Sequence, residues 1–195
     1  MIDWDAYFGA MRTMRLHPLY EELAKHLPEH GYALELGCGA GQGAEFFADR
    51  GWTVTAYDID PRAIEATEER LAGRPGIDVV TADITTIDFP HADAITAGFV
   101  LFLLDADGFG RVWSKIREAL SPGGLLLAQF LGPNDDWASR GCLTHSTSEI
   151  NELLRGYEVL HREEVERDGK TAWGESKHWH VHHVIARVPE PSPTP

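Results

Sequence analysis

The sequence predicts an α/β sandwich in which helices cover both faces of a mostly parallel β-sheet. Three features support this fold class. Strand signals alternate with helical signals along the chain, the interior strands are apolar at nearly every position, and a glycine-rich turn follows the first strand. Strands without a polar face need cover on both sides, and helices between strands make the strands run parallel.

Each central element has its own signal. The predicted strands are short apolar or β-branched runs at residues 32–36 (YALEL), 52–57 (WTVTAY), 77–82, 92–97 and 125–131, the last after a Pro122-Gly123-Gly124 turn. The predicted helices lie at residues 41–50, 61–72, 109–120 and 148–155. Pro61 fits the first turn of its helix, where a missing N–H costs little. Ser146 and Glu149 have the spacing of a capping box for the last helix.

The two ends of the chain differ from this alternation. Residues 3–27 predict two short helices interrupted at Pro18, and these form an N-terminal helical cap over residues 1–30. Two final strands, 157–165 and 178–188, have no helix between them, which indicates an antiparallel hairpin at one edge of the sheet. We therefore expect one domain over residues 1–188, followed by a disordered tail at 189–195 (PEPSPTP).

Composition excludes several classes of function. The 195 residues carry a formal net charge of −14, which opposes binding to nucleic acid or to an anionic membrane. The apolar stretches fall short of the roughly 18 residues that a membrane span needs. Cys38 and Cys142 lie far apart and form no CxxC unit, so neither a disulfide framework nor a zinc cluster is indicated. The N-terminus does not resemble a signal peptide, and we expect a cytoplasmic protein.

The turn after the first strand is a candidate ligand site. Gly37, Gly39 and Gly41 alternate in ELGCGAGQG before a helix, and they allow a ligand to approach the backbone at the tip of the strand. The free N–H groups that open the helix favour a carboxylate or phosphate. The same residues also fit the GxGxxA pattern of dinucleotide-binding folds, and a plain glycine turn without a ligand is the alternative.

Acidic residues end the next two strands. Asp58, about twenty residues after the glycines, can accept hydrogen bonds from both hydroxyls of a ribose, which supports any adenosine cofactor, NAD included. Asp60 is better placed to cap the helix that begins at Pro61. Asp83 can accept from an adenine amino group while Ile84 packs on the ring, although an end-of-strand turn residue is the alternative.

In order and spacing, these residues resemble the class I S-adenosylmethionine-dependent methyltransferases. ELGCGAGQG is similar to their first motif, VTAYDIDP to the ribose motif, TADI to the adenine motif, and LSPGGLLLAQF to the turn and strand of the fifth-strand motif. The resemblance implies a three-layer Rossmann-like sandwich with a seven-stranded, mostly parallel sheet. It implies the strand order 3-2-1-4-5-7-6, with strand 7 antiparallel.

The resemblance also implies S-adenosyl-L-methionine as the cofactor and assigns ten residues to it. By family similarity these are Glu35 for the loop and the methionine amino group; Gly37, Cys38 and Gly39 for methionine and ribose; Asp58 and Ile59 for ribose and adenine; Asp83 and Ile84 for the adenine edge; and Gly98 and Phe99 beneath the sulfonium. The remaining chain looks most like small stand-alone enzymes that methylate low-molecular-weight acceptors, including tellurite-resistance and thiopurine types. GFVLFLLD lacks the Asn-Pro-Pro-Tyr sequence of amino-methylating DNA and protein enzymes.

The acceptor side is less defined, because displacement at a sulfonium needs alignment and dryness more than a dedicated catalytic group. Three segments are candidates. In the N-terminal helix they are Trp4, Tyr7, Phe8 and Arg12, with core packing as the alternative for the aromatic residues. In the long loop 132–145 the candidate bases are His145, Asp135 and Asp136, for which surface or capping roles are the alternative.

The third segment is the histidine-rich strand 177–183 (KHWHVHH). Strand alternation places His178, His180 and His182 on one face and His183 on the other. We select His180, with His145 and Asp135, as candidate catalytic residues. No acidic ligand is visibly paired with the histidines, so we predict no metal site.

Two other functions share parts of this pattern. An NAD(P)-dependent oxidoreductase would use the glycine loop and Asp58, but it explains neither Asp83 nor the terminal hairpin. A non-catalytic protein of the same fold that binds an adenosyl ligand is the third interpretation. The preferred one is transfer of a methyl group to a small-molecule acceptor by a monomer or homodimer without nucleic-acid or membrane partners.

Overall fold

The computed structural model describes residues 4–191, without the side chains of residues 4 and 8. The proposed roles of Trp4 and Phe8 at the acceptor, and the disorder expected for residues 192–195, therefore lie outside the described residues. Within the described part, no helix combines the length and apolarity that crossing a bilayer requires.

The described residues form six α-helices and seven strands, which follow one another in the expected order. The strands are β1 (Tyr32–Leu36), β2 (Thr53–Asp58), β3 (Ile77–Thr81), β4 (Ala92–Ala97), β5 (Leu120–Leu131), β6 (Glu158–Lys170) and β7 (Ser176–Arg187). The helices are α1 (Trp4–Met11), α2 (Leu19–Ala24), α3 (Gln42–Ala48), α4 (Pro61–Leu71), α5 (Ala106–Ala119) and α6 (Thr147–Leu153). Short 3₁₀ helices lie at Leu101–Leu103 and Asp136–Arg140.

All seven strands form a single sheet in the order β3-β2-β1-β4-β5-β7-β6. Strands β1 to β5 pair in parallel, whereas β7 is antiparallel to both β5 and β6. The strand order and the antiparallel seventh strand confirm the predicted fold class. This arrangement places the carboxyl ends of β1, β2, β3 and β4 along one edge, where parallel α/β sheets bind their ligands.

The parallel strands are apolar on both faces because each face carries its own helical layer. Leu34 and Leu126 pack towards α5 and α6, in a core that includes Ile116. Residues of opposite parity, such as Ala33 and Leu125, pack towards the other layer of helices. Alternate residues of one strand therefore belong to different cores, as a three-layer sandwich requires.

Side-chain caps explain where the helices begin. Asp60 accepts from the Arg62 amide at 2.9 Å, and the capping box between Ser146 and Glu149 is present. Helix α5 begins at Ala106, one turn before the predicted start at Phe109, because Asp105 accepts from the Gly108 amide at 2.7 Å. That cap was missed in the sequence.

The largest differences from the predicted elements are in the last three strands. Strand β5 begins at Leu120 and includes the predicted Pro-Gly-Gly turn. Ala92 pairs with Leu120 and Ala94 with Leu125, so residues 121–124 form a bulge. The hairpin strands β6 and β7 have 13 and 12 residues, longer than predicted. The polar residues of β6 fit a strand because β6 lies at the edge of the sheet and is largely exposed.

Gly132 follows β5 where a side chain would have no room. A Cβ there would overlap the ring of the buried His180, whereas a Cβ on Gly110 in α5 would meet open space. We predict that Gly132→Ala lowers the free energy of unfolding by about 2 kcal/mol through overpacking. The matched substitution Gly110→Ala raises it by about 0.5 kcal/mol, because alanine restricts the unfolded chain. Urea denaturation measures both values, and equal effects of the two substitutions would contradict the packing described here.

Candidate active site

A cavity of about 520 Å³ lies at the carboxyl edge of the parallel strands. Its size is within the range of cofactor and ligand pockets, about 300–1,000 Å³. Seven of the ten predicted cofactor-binding residues line it: Gly37, Asp58, Ile59, Asp83, Ile84, Gly98 and Phe99. The tips of β1, β2, β3 and β4 thus contribute to one space, as the motif spacing predicted.

Gly37 is the point where the chain leaves β1. Its φ is +72°, in the left-handed region, and a Cβ would lie 2.6 Å from Cγ2 of Val100. Both the conformation and the close approach of the β4 loop require glycine. The amides of Gly37 and Cys38 donate to the Tyr57 carbonyl at 2.8 and 2.9 Å, which fixes the turn against the end of β2.

Asp58 connects the glycine loop to the second strand. Its Oδ2 accepts from the Gly39 amide and its Oδ1 from the Asp60 amide, each at 3.0 Å. Burial raises the pKa of Asp58, opposed by these hydrogen bonds. Each carboxylate oxygen keeps a second lone pair, so the side chain can still accept hydroxyl donors from the cavity. Ile59 beside it is 67% exposed, unusual for so large an apolar side chain.

Asp83 and Ile84 form the next part of the wall. Oδ1 of Asp83 accepts from the Thr85 amide at 2.9 Å and from the Thr85 hydroxyl at 2.7 Å. These bonds, assisted by the charge of Arg111, lower the pKa of Asp83 and keep it ionised. The buried side chain of Ile84 packs into the core next to it.

Phe99 has a strained backbone at the tip of β4. It is the non-glycine residue with positive φ, +54°, among the described residues. This conformation costs of order 1 kcal/mol, and such strain concentrates at ligand sites. Its ring contacts those of His17, Phe102 and Trp179, with centroids 6.0, 6.3 and 6.1 Å away.

The other three predicted cofactor residues lie behind the cavity wall. Glu35 is buried beneath the start of α3, where the amides of Gly43 and Ala44 donate to it, and burial raises its pKa to about 8. The Cys38 thiol is buried and accepts from the Thr67 hydroxyl at 3.4 Å. Gly39 bonds to Asp58 through its amide. These residues support the loop, and direct contact with a cofactor stays a prediction for all ten.

The structure does not bring the three predicted catalytic residues to this cavity. His145 lies in a separate depression with Trp113 and Glu149, its ring 4.5 Å from that of Phe109. Asp135 is buried in an ion pair with Lys177.

The remaining contacts of these residues explain the difference. Asp135 accepts from the Trp137 and His180 amides at 3.0 Å, so it anchors the loop to β7 rather than facing a substrate. His180 bonds through Nε2 to Glu164 at 2.9 Å, on the face of β7 opposite His183. Contrary to the expectation that no acid accompanies the histidines, β6 supplies Glu164, Glu166 and Asp168.

His17, Gln129 and His183 form a cluster behind the β4 tip that the sequence did not reveal. Nδ1 of His183 accepts from Gln129 Nε2 at 2.7 Å, and the rings of His17 and His183 are 4.9 Å apart. Gln129 Oε1 would lie 3.5 Å from a Cβ on Gly98. Strand alternation could have separated His183 from His180, but no local signal marks His17 or Gln129.

Both histidines of this cluster are held neutral. Burial, followed by the neighbouring His17, lowers the pKa of His183 to about 4. Burial also lowers the pKa of His17, whose Nδ1 accepts from the Leu19 amide at 3.2 Å. A neutral imidazole beside a ligand cavity can accept a proton.

Helix α1 borders the cavity on the remaining side. Tyr7 lines the cavity, and burial, together with the charge of Asp58, raises the pKa of Tyr7 to about 12. Ion pairs hold the helix to α4: Asp5 with Arg62, and Arg12 with Glu69 at 2.6 Å. Of the N-terminal candidates with described side chains, Tyr7 is the one that lines the cavity.

Residues 34–126 match a protein-family model described as "Methyltransferase domain". Among curated proteins, the chain is 44% identical over 89 residues to an rRNA adenine N-6-methyltransferase of Saccharopolyspora erythraea, covering 43% of this chain and 22% of that protein. It is 33% identical over 155 residues to a ubiquinone biosynthesis O-methyltransferase of Methylocella silvestris, covering 66% of this chain and 59% of that protein. The chain thus spans from about a fifth to three fifths of the length of these relatives.

Solved structures show the same fold. TehB from Haemophilus influenzae has a TM-score of 0.75 at 20% identity, covering 88% of this chain and 62% of that chain. The N-methyltransferase NodS from Bradyrhizobium japonicum, in complex with S-adenosyl-L-homocysteine, has a TM-score of 0.69 at 23% identity and covers 89% of each chain. None of these matches supports the oxidoreductase interpretation. The sheet does not support it either, because dinucleotide-binding folds have the strand order 3-2-1-4-5-6 and lack the antiparallel β7.

The buried Glu35 makes the free energy of unfolding depend on pH. Its pKa is raised to about 8 from 4.5, so the folded protein retains a proton that the unfolded chain releases. The stability it contributes is complete below pH 4.5 and is lost as the pH rises to 8. Relative to Glu35→Gln, whose amide does not titrate, wild-type stability should fall by up to about 1.4 kcal/mol per pH unit.

Urea denaturation of both proteins at pH 5, 6, 7 and 8 measures this difference. Other titrating groups are common to the two proteins and cancel. If the unfolding free energy of wild type minus that of Glu35→Gln stays constant or rises with pH, Glu35 is ionised in the folded state.

Proposed function

We propose that this chain is a class I S-adenosylmethionine-dependent methyltransferase and that it transfers a methyl group from that cofactor to a small-molecule acceptor. The observation that carries the proposal is the cavity at the strand tips, which is lined by the turn glycine Gly37 and by the carboxylates Asp58 and Asp83. Topology alone would not decide the function, because one fold supports many activities.

The residues present fit the cofactor. Gly37 leaves the backbone open at the tip of β1, Asp58 retains lone pairs for ribose hydroxyls, and the exposed Ile59 offers an apolar surface for adenine. Asp83 is held ionised and can accept from an amino group. When bound, S-adenosylmethionine supplies an activated methyl group on a sulfonium. The protein then has to align the acceptor and exclude water.

We place the acceptor beside Gly98 and Phe99, next to the histidine cluster. His17 contacts the Phe99 ring and is only half-buried, so it can reach an acceptor more readily than the buried His183. Its lowered pKa keeps it neutral at pH 7. Because Nδ1 accepts from the Leu19 amide, Nε2 carries the proton of the neutral ring, so His17 takes a proton from a hydroxyl, thiol or ammonium nucleophile at Nδ1 once the Leu19 contact is released. The ring of His183 packs against that of His17, and Gln129 donates to His183. This assignment replaces His145, Asp135 and His180.

A small acceptor agrees with the charge of the chain. The net charge of −14 opposes a polyphosphate substrate, although one relative is an rRNA methyltransferase of which the chain covers 22%. Other proteins similar to this chain are a ubiquinone biosynthesis O-methyltransferase and a 1,6-didemethyltoxoflavin N1-methyltransferase. We further propose that the protein acts in the cytoplasm, as a monomer or homodimer, without nucleic-acid or membrane partners.

The ribose contact is tested by Asp58→Asn, which keeps the side-chain shape but removes the charge. We predict at least about tenfold weaker binding of S-adenosylmethionine, because charge-assisted hydrogen bonds to the ribose are lost. Calorimetric titration measures the affinity, and circular dichroism checks that the variant folds. Asp88→Asn, at an exposed carboxylate outside the cavity, is the matched control. Equal affinities of the two folded variants would remove the ribose assignment.

The role of His17 is tested with an acceptor found by screening small thiols, amines, hydroxyls and metalloid oxyanions with methyl-labelled cofactor. We predict that His17→Gln lowers turnover at least about tenfold and leaves cofactor affinity unchanged. His30→Gln, at an exposed histidine before β1, should change neither. Normal turnover by His17→Gln would refute the proton-acceptor role. Transfer to no acceptor class would favour the non-catalytic interpretation.

A further inference from the structure

A second cluster of potential ligands lies on the β6–β7 hairpin. Glu164 of β6 and His180 and His182 of β7 each offer one ligand atom, all within 4.8 Å of one another. The strand register places Glu164 directly opposite His182. We propose that these three residues bind a divalent transition-metal ion of the Zn²⁺ type. The proposal does not depend on the methyltransferase function, and it replaces our expectation of no metal site.

His182 is the observation that points to a ligand. Its side chain is 0% exposed, and neither ring nitrogen has a hydrogen-bond partner among the described residues. Leaving a buried polar group unpaired costs about 1–3 kcal/mol, so native proteins usually supply a partner. Nδ1 of His182 lies 3.8 Å from Oε2 of Glu164, close enough for one ion to join the two atoms after small shifts.

His180 supplies the second imidazole. Its Nε2 lies 2.9 Å from Oε1 of Glu164, and its Nδ1 accepts from the Asn134 amide at 3.2 Å. An ion at Nε2 displaces the proton there, because histidine ligates as the neutral ring. The proton is then carried on Nδ1. Glu166, whose Oε2 is 3.9 Å from Nδ1, is the carboxylate that can accept it in place of the Asn134 contact.

The donor set selects the class of ion. Two imidazoles and one carboxylate are the protein ligands of Zn²⁺ sites that keep a fourth position for water, whereas Mg²⁺ and Ca²⁺ favour oxygen ligands. The side chain of Glu164 is 44% exposed, which gives the ion a path from solvent. Its Oε2 accepts from the Thr147 hydroxyl at 3.1 Å, so the carboxylate is already oriented.

Neighbouring charges are compatible with a bound cation. Arg162, the adjacent cation on β6, is engaged with Asn151 and with the Thr147 carbonyl. Glu164 and Glu166 add two negative charges. Since His180 and His182 face away from His183, the ion would join β6 to β7 rather than reach the cavity. Its expected effect is therefore on the stability of the hairpin.

The test uses the full chain without an affinity tag, dialysed against a chelator, and titrated calorimetrically with ZnCl₂. We expect one ion per chain and a higher melting temperature with Zn²⁺. Glu164→Gln preserves shape and an acceptor for His180, and it should weaken Zn²⁺ binding at least about tenfold. His182→Leu fills the buried position without a ligand nitrogen and should do the same while the metal-free protein stays folded.

Two matched controls locate the ion. Glu163→Gln removes the same charge from the other face of β6, and His178→Gln removes a half-buried histidine that bonds to Asp168. Both should bind Zn²⁺ as wild type does. The proposal is overturned if wild type shows no saturable binding, if Glu164→Gln and His182→Leu bind normally, or if either control loses binding as strongly as they do.

Discussion

The turn at Gly37 is the constraint on which the rest of the site depends. Three loops meet there: the turn amides bond to the end of β2, Val100 of the β4 loop fills the space that a Cβ would need, and the Gly39 amide fixes Asp58. A larger residue at position 37 would push these loops apart and disrupt the floor of the cavity. The glycine is therefore required by the protein's own packing, and Asp58, the carboxylate proposed to bind the ribose, is positioned by the same contacts.

The sheet order determines what can surround that floor. Inserting β7 between β5 and β6 brings a strand from the end of the chain next to β5, so that His183 reaches Gln129 and, beyond it, His17 near the start. Strand alternation then divides the histidines of β7 between two locations. His183 faces the acceptor side, whereas His180 and His182 face Glu164. One hairpin thus contributes to the proposed proton acceptor and, separately, to the proposed metal site.

Most residues predicted for the cofactor line one cavity because their sequence signals are local: a strand, its terminal acid and the following turn are contiguous in β1, β2 and β3. The three residues predicted for catalysis do not line that cavity, because their contacts join distant segments of the chain. Asp135 resembled a base in a polar loop, yet its partner Lys177 is 42 residues away. Gln129 was hidden inside an apolar strand. The start of α5 was missed because residues 106–108, which follow the Asp105 cap, carry no large apolar side chain to mark the beginning of the helix.

We propose that the cavity between Gly37, Asp58 and Asp83 accepts an adenosyl sulfonium and not a dinucleotide. Calorimetric titration of the wild-type protein with S-adenosylhomocysteine, and separately with NADH, tests it most directly. We predict saturable one-to-one binding of S-adenosylhomocysteine and no measurable binding of NADH. Binding of NADH, or failure of the folded protein to bind S-adenosylhomocysteine, would contradict it.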